Sequence, residues 1–301
     1  MRDRCLIRSV LPWFMLALWT FVPFAAAANV NDFIDFSLRS QTNALLLPGR
    51  LYVPPEASGP SSPRPLILFL HGAGESGTNN LAQINGNIDN LLAEAKQRGA
   101  FLYAPQTNAS WSPTTITNHV NTMLDRALAD QLVDANRIYV TGLSMGGGGV
   151  WNLLNRFSDR FAAAVPIAAV SPAVDFVSTR LLDESIWAFH ARNDSVVPMT
   201  SSRNVINNLL NAAAEPLPIY PSPRDTTNPF HFDSQQLDLH YTEPATGGHG
   251  IWFGVYAHEP MYDWMFSHGV VPEPASLVLV AFGVGLLLIC RRGRASSSAR
   301  H

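Results

Sequence analysis

The sequence is short of cysteine and of positive charge in the part of the chain that is long enough to form a core. Its two cysteines, Cys5 and Cys290, lie near the termini, so residues 29–270 contain none. These residues therefore have no disulfide, no thiolate chemistry and no cysteine-ligated metal. The chain holds 20 basic and 23 acidic side chains, but 7 of the basic and 2 of the acidic ones lie outside residues 29–270, which leaves a net charge of −8. With Lys96 as the single lysine, this balance argues against nucleic acid as a partner.

The first 28 residues have the three-part layout of a secretion signal. Three arginines precede an apolar stretch over residues 10–23, and four alanines then provide small side chains for cleavage near Ala28. An uncleaved membrane anchor is the alternative, which the short apolar stretch and its small-residue end disfavour. We therefore expect signal peptidase to remove residues 1–28 and the rest of the chain to be exported.

Residues 271–301 form a second terminal signal. The sequence Val-Pro-Glu-Pro is followed by an apolar run over residues 275–290 and by an arginine cluster at residues 291–294. The run is marginally long enough to cross a thin bilayer, with the arginines on the cytoplasmic side. The tail resembles the PEP-CTERM sorting signal. That resemblance implies an exosortase-type protease that removes the tail, transient membrane association, and a final location in the cell envelope or outside the cell.

Between these segments, strand-like and helix-like stretches alternate, which predicts one α/β domain over residues 29–270. Short apolar runs typical of buried strands are "RPLILFLHG", "AFLYAPQ", "RIYVTG", "AAAVPIAA" and "SIWAFHA". Helical periodicity separates them, so we expect a mostly parallel sheet with helices on both faces. Near the N-terminus, "ALLLPGRLYVPP" predicts a hairpin or strand pair. The proline-rich residues 216–236 predict a long surface loop or lid.

One predicted strand runs into the sequence "TGLSMGGGG", which places Ser144 between glycines. A sharp turn from strand to helix forces strained backbone angles on such a serine, and Gly142 and Gly146 leave room because they lack a Cβ. The turn holds the hydroxyl above the sheet, at the positive end of a helix. We therefore predict that Ser144 is a nucleophile, and that the glycines that follow let the helix pack closely on its neighbours.

A second glycine-rich turn, "LHGAGESG", follows another predicted strand. A turn at this position aims backbone N–H groups at the mouth of the sheet. We expect the amides of Ala73 and Met145 to form an oxyanion hole, the site that stabilises a tetrahedral intermediate. The alternative is an ordinary connecting loop.

An acid and a base are expected from two later segments. Asp194, in "FHARNDSVVP", follows a predicted strand by a few residues, and His249, in "ATGGHGIW", lies in a glycine-rich loop after the last strand. A capping aspartate and a structural histidine are the ordinary alternatives. Weaker candidates for these two roles are Asp183, Glu184, His240, His258 and His268. The chain order Ser144, Asp194, His249 is that of the α/β-hydrolase fold.

Segments between residues 63 and 252, including "LILFLHGAGESGTNN", "YVTGLSMGG" and "GGHGIW", resemble the secreted, esterase-like α/β-hydrolases. These comprise phospholipase/carboxylesterases, feruloyl-esterase-like proteins and predicted peptidases. The resemblance implies hydrolysis of a small-molecule or polysaccharide-linked carboxylic ester through an acyl-serine, with no metal or other cofactor. By position, it places His71, Gly74 and Trp111 near the substrate pocket.

Three other functions are consistent with parts of the sequence. A serine peptidase or acylaminoacyl hydrolase uses the same three side chains, and a non-catalytic binding protein can keep the same fold. A metal site is suggested only by residues 231–240, "HFDSQQLDLH", which contain no close pair of ligands. The sequence leaves open which ester is cleaved and how many subunits assemble.

Overall fold

A computed structural model describes residues 27–55 and 62–270. The predicted secretion signal before residue 27 and the predicted sorting tail from residue 271 lie outside the described residues. Within those residues, none of the helices has the length and apolar character needed to cross a membrane.

The strands build one large sheet and one small one. The strands among the described residues are β1 (Ile34–Asp35), β2 (Leu38–Arg39), β3 (Leu45–Leu47), β4 (Gly49–Tyr52), β5 (Arg64–Leu70), β6 (Phe101–Pro105), β7 (Val133–Leu143), β8 (Ala163–Ile167), β9 (Ile186–Phe189), β10 (Phe230–Asp233) and β11 (Leu239–Glu243). Nine of them form a sheet in the order β1-β4-β6-β5-β7-β8-β9-β11-β10, and β2 pairs with β3. Within this sheet, the neighbouring strands in the stretch β6-β5-β7-β8-β9-β11 pair in parallel. The outer pairings, β1 with β4, β4 with β6 and β11 with β10, are antiparallel. The predicted, mostly parallel α/β-hydrolase sheet is therefore confirmed.

Helices cover both faces of the large sheet, as predicted. The α-helices among the described residues are α1 (Asp89–Arg98), α2 (Thr114–Asp130), α3 (Met145–Arg156), α4 (Thr200–Ala212), α5 (Trp252–Tyr256) and α6 (Glu259–Ser267). One apolar cluster contains the buried side chains of α2, α3 and α4, and another contains those of α1, α5 and α6. The sheet lies between these two clusters, so its central strands are buried on both sides.

The predicted pairing near the N-terminus is wrong. The segment "ALLLPGRLYVPP" does form β3 and β4, but β3 pairs with β2, while β4 lies between β1 and β6. Pro48 alone separates the two strands. One residue is too few to reverse the chain direction, since the tightest common hairpin turns have about two.

The predicted loop over residues 216–236 contains a strand, β10, so that prediction is wrong for residues 230–233. Phe230 and Phe232 are half-buried and alternate with exposed residues, a pattern typical of an edge strand. The Phe230 ring contacts those of Tyr220 and Tyr241, with centroid distances of 5.4 and 6.4 Å. These aromatic contacts hold the strand against its neighbour β11.

A buried charge cluster attaches the remaining loop to the sheet. Glu243 of β11 is fully buried and accepts hydrogen bonds from Arg192 Nε at 2.7 Å and from Arg203 Nε and Nη2 at 2.7 and 2.6 Å. Burial raises the pKa of Glu243, but the two guanidinium groups outweigh this effect and hold it below its usual value. The same arginines donate to the loop carbonyls of Asp225 and Pro221, at 2.6 and 3.2 Å. The loop is therefore anchored through two cations that share one carboxylate.

The turn from β7 to α3 has strained backbone angles at Ser144, as the glycine spacing predicts. Ser144 has φ 55° and ψ −114°. A Cβ on Gly142 would lie 2.6 Å from the carbonyl oxygen of Gly146, and one on Gly146 would lie 2.0 Å from that of Leu70. Real Cβ atoms do not approach backbone so closely, so the turn requires glycine at both positions. The next three glycines likewise allow α3 to pack closely on neighbouring segments.

We expect the substitution Gly146→Ala to lower the free energy of unfolding by about 1–3 kcal/mol, because the added methyl group forces the backbone of α3 away from β5. Urea denaturation measures the change. The matched control is Gly254→Ala in α5, where an added Cβ meets no atom within 4 Å. That variant should keep or gain stability, by up to about 1 kcal/mol. Equal stability of the Gly146 variant and the unaltered protein would contradict the packing argument.

Candidate active site

The carboxyl ends of three strands bring Ser144, Asp194 and His249 together. Ser144 follows β7 directly, Asp194 lies in the loop after β9, and His249 lies in a 3₁₀ turn after β11. Ligands of open α/β sheets bind at this edge. The imidazole Nε2 of His249 lies 2.9 Å from Ser144 Oγ, and its Nδ1 lies 2.7 Å from Asp194 Oδ2. With its proton on Nδ1, the imidazole donates to the carboxylate and accepts from the serine hydroxyl.

The loop that carries Asp194 keeps its carboxylate charged. Asp194 Oδ1 accepts hydrogen bonds from the amides of Val196 and Val197, at 2.8 and 2.9 Å. Burial raises the pKa of Asp194, but the hydrogen bonds from His249 and from the two amides outweigh it and lower the pKa below its usual value. A fixed negative charge therefore lies against the imidazole.

The backbone of Ser144 is hydrogen-bonded to the segment that follows β8. Its amide donates to the carbonyl of Ile167 at 2.9 Å, and its carbonyl accepts from the amide of Val170 at 3.2 Å. These bonds hold the strained turn, so that the hydroxyl lies at the N-terminus of α3. The local field there favours a negatively charged group.

The two backbone amides predicted to form an oxyanion hole follow neighbouring strands, β5 and β7. Met145 is the first residue of α3, and Ala73 begins a 3₁₀ turn after β5. Gly72 packs on Leu143, the residue before Ser144, because a Cβ on Gly72 would lie 2.6 Å from Leu143 Cδ1. Neither amide donates a hydrogen bond to another of the residues that the structure describes. Two unpaired N–H groups at this place are suited to binding an oxyanion, and their role stays a prediction.

Two of the residues predicted near the substrate pocket have buried side chains, and their place near the substrate stays a prediction. His71 and Trp111 are 0% and 2% exposed. Trp111 Nε1 donates to the His71 carbonyl at 3.0 Å, and the His71 ring accepts from the Thr107 amide at 3.1 Å. The polar atoms of both side chains are thus hydrogen-bonded inside the protein. Both side chains support the loop that follows β5 from the interior. Gly74 is exposed, and its place near the substrate stays a prediction.

A chain of three side chains beside the site was not predicted. The indole of Trp252 stands edge-on to the imidazole of His249, with a centroid distance of 5.2 Å and an interplanar angle of 89°. Its Nε1 donates to Asn87 Oδ1 at 3.0 Å, and Asn87 Nδ2 donates to Glu75 Oε1 at 2.7 Å. The chain thus links the loop of the predicted oxyanion hole to the loop of His249. Trp252 lies three residues after His249, and this short spacing could have predicted a contact between the two side chains. Nothing in the sequence identifies Asn87 as part of the site.

An apolar cavity of about 470 Å³ lies behind the His249 loop, with Phe189, Ile251 and Val255 in its lining. The glycines on either side of His249, Gly247 and Gly250, also line it, whereas Ser144 and Asp194 do not. The cavity is therefore next to the site and separate from the serine.

The weaker candidates lie away from Ser144 or have other partners. His240 and His268 are both paired with Asp238, at 3.2 and 2.7 Å, and His258 lines the apolar cavity. Glu184 is buried near other carboxylates, and burial raises its pKa to about 8. Within residues 27–55 and 62–270, no group of three or more His, Cys, Asp or Glu side chains is arranged to hold a metal ion.

Comparison with known proteins gives similarities to esterases and related hydrolases. The dienelactone hydrolase family matches residues 95–224. A poly(3-hydroxybutyrate) depolymerase from Ralstonia pickettii is 34% identical over 122 residues, which cover 34% of this chain and 25% of that protein. A bifunctional acetylxylan esterase/xylanase from Neocallimastix patriciarum is 27% identical over 148 residues, covering 48% of this chain and 21% of that protein.

Among solved structures, a thermostable esterase superposes with a TM-score of 0.65 at 30% identity, covering 80% of this chain and 64% of the esterase. The matches thus span about a quarter or less of the two curated relatives and under two thirds of the solved esterase. The chain has the α/β-hydrolase fold, and over residues 95–224 it is similar to the dienelactone hydrolase family.

Proposed function

We propose that this protein is a serine hydrolase that cleaves carboxylic esters through an acyl-serine intermediate. The observation that carries the proposal is the unbroken contact from Ser144 Oγ to His249 Nε2 and from His249 Nδ1 to Asp194 Oδ2, at 2.9 and 2.7 Å. Similarity to esterases over part of the chain supports the same class of reaction.

In the proposed reaction, His249 takes the hydroxyl proton as Ser144 Oγ attacks the ester carbonyl carbon. Asp194 stabilises the resulting imidazolium and holds its ring orientation. The amides of Ala73 and Met145 stabilise the negative oxygen of the tetrahedral intermediate. When that intermediate collapses, the bond to the alcohol breaks, and the alcohol leaves with the proton from His249. Water, deprotonated by His249, then attacks the acyl carbon. The bond from that carbon to Ser144 Oγ breaks, the acid is released, and His249 returns the proton to Ser144 Oγ.

The class of substrate is proposed from the relatives and from the terminal sequences. The curated relatives are a poly(3-hydroxybutyrate) depolymerase and an acetylxylan esterase/xylanase, whose names favour an ester carried on a polymer. We therefore place a polysaccharide-linked or polymeric ester ahead of a free small ester. The proposal also includes export of the protein, with residues 1–28 removed by signal peptidase and the C-terminal tail removed by an exosortase-type protease. A location in the cell envelope or outside the cell would expose the enzyme to such polymers.

A fluorophosphonate should label the folded protein at Ser144, because its hydroxyl is hydrogen-bonded to the imidazole of His249 at the edge of the sheet where ligands bind. The substitution Ser144→Ala should abolish the adduct and lower turnover by about 10⁴-fold or more. Peptide mass spectrometry locates the label, and Ser222→Ala, at an exposed loop position, is the control that should label normally. Folded protein that takes up no label would rule out the nucleophile, and with it the proposed function.

Activity should rise with pH as His249 loses its proton, since only the neutral imidazole accepts the serine proton. Asp194 should not contribute to this rise, because its lowered pKa keeps it charged throughout. The dependence of kcat/KM on pH measures the effect. A rate that is flat from acid to alkaline pH would count against His249 as the base.

Esters should be turned over faster than amides, by about 100-fold or more, because an alcohol leaves with less help from a proton donor than an amine does. The panel contains short p-nitrophenyl esters, acetylated and feruloylated sugars, 3-hydroxybutyrate oligomers and peptide anilides. The highest kcat/KM within it identifies the substrate class. Faster cleavage of the anilides would favour the peptidase alternative, while labelling of Ser144 without any turnover would favour a binding protein.

A further inference from the structure

A second histidine contacts the carboxylate of Asp194, and the proposed reaction does not use it. His190 is the first residue after β9 and is 0% exposed. Its Nε2 lies 2.9 Å from the carbonyl oxygen of Val197 and 3.3 Å from Asp194 Oδ2. Its Nδ1 lies 2.7 Å from Ser202 Oγ of α4. The ring therefore lies between the loop of the proposed acid and the helix that follows it.

These partners determine where the proton of His190 resides. The carbonyl of Val197 can only accept, so the proton is on Nε2, and Nδ1 accepts from the hydroxyl of Ser202. Burial lowers the pKa of His190 and keeps the ring neutral. The Nε2–H is therefore directed at the carbonyl of Val197, and Nε2 is also in contact with Asp194 Oδ2 at 3.3 Å.

The segment that His190 binds is the one that fixes the carboxylate of Asp194. Oδ1 accepts from the amides of Val196 and Val197, and Oδ2 accepts from His249 and contacts His190. The carbonyl of Val197 accepts from His190, while its amide donates to Oδ1. The buried ring thus holds this segment and leaves little room for the carboxylate to rotate, so Oδ2 stays directed at His249.

We propose that His190 is a positioning residue that acts through Asp194: it holds the Val197 segment and contacts Oδ2, which keeps this oxygen directed at His249. The inference rests on the proposed roles of Ser144, Asp194 and His249. It extends the site by a neutral ring, whose loss would leave the carbonyl of Val197 without its donor and Asp194 free to turn away from His249.

The direction of the resulting pH effect follows from the charges around the ring. His190 faces Asp194 and His249, and Glu243 is the other charged group that acts on it. Glu243 is neutralised by Arg192 and Arg203, so Asp194 dominates. When Asp194 turns away after loss of His190, it stabilises the protonated imidazole of His249 less, and the rise of activity moves to lower pH.

The test compares His190→Leu with His190→Gln, in which an amide N–H can replace Nε2–H. We expect the leucine variant to lose about tenfold in kcat, with KM within about twofold, as for loss of one buried hydrogen bond. The midpoint of kcat/KM against pH should fall by about half a unit. The glutamine variant should recover most of both. The control His240→Leu, at a histidine paired with surface carboxylates, should match the unaltered protein.

A measurement on the unaltered protein does not depend on how these variants fold. In ¹⁵N-histidine NMR spectra, His190 should be neutral, protonated on Nε2, and should change its shift at the pH where His249 titrates. A proton on Nδ1 would overturn the inference. So would a folded leucine variant with unchanged kcat and midpoint, or a loss of kcat that glutamine does not recover and that leaves the midpoint unmoved. Absence of the Ser144 label would instead overturn the proposed function itself.

Discussion

The strained turn at Ser144 is the constraint on which the arrangement of the site depends. A non-glycine residue at φ 55° costs on the order of 1–3 kcal/mol, and hydrogen bonds to Ile167 and Val170 hold it in place. The turn requires glycine at positions 142 and 146, because a Cβ at either one would overlap with neighbouring backbone. The absence of a Cβ on Gly146 allows α3 to contact β5. The serine hydroxyl thereby reaches the one edge of the sheet where the loops after β5, β9 and β11 also end.

Two buried carboxylates beside this edge have opposite kinds of partner. Glu243 is paired with two arginines, which keep their charge at every accessible pH, and so it anchors a loop permanently. Asp194 is paired with two amides and with the imidazole of His249, which takes up and returns a proton in the proposed reaction. The permanent charge of Asp194 beside the imidazole of His249 is suited to catalysis. The permanent charge of Glu243 between two arginines is suited to holding the structure together.

The sequence predicts those features that local pattern determines. The order of strands and helices, the glycines around Ser144, and the loops of Asp194 and His249 all follow from periodicity and turn chemistry. The strand at residues 230–233 was missed because its surroundings are rich in proline, although its alternation was present. The burial of the His71 and Trp111 side chains could not be predicted, because a motif gives position along the chain without the direction of the side chain. Asn87 and His190 could not be recognised, since their contacts depend on packing between distant segments.

The side chains of Trp252, Asn87 and Glu75 have a consequence for how the site moves. They brace the two loops against each other, and the indole stands against one side of the imidazole. A displacement of either loop is therefore transmitted to the other. The proposed base and the proposed oxyanion donors should consequently lose their alignment together when the protein is warmed or when a bulky acyl group displaces one of the loops.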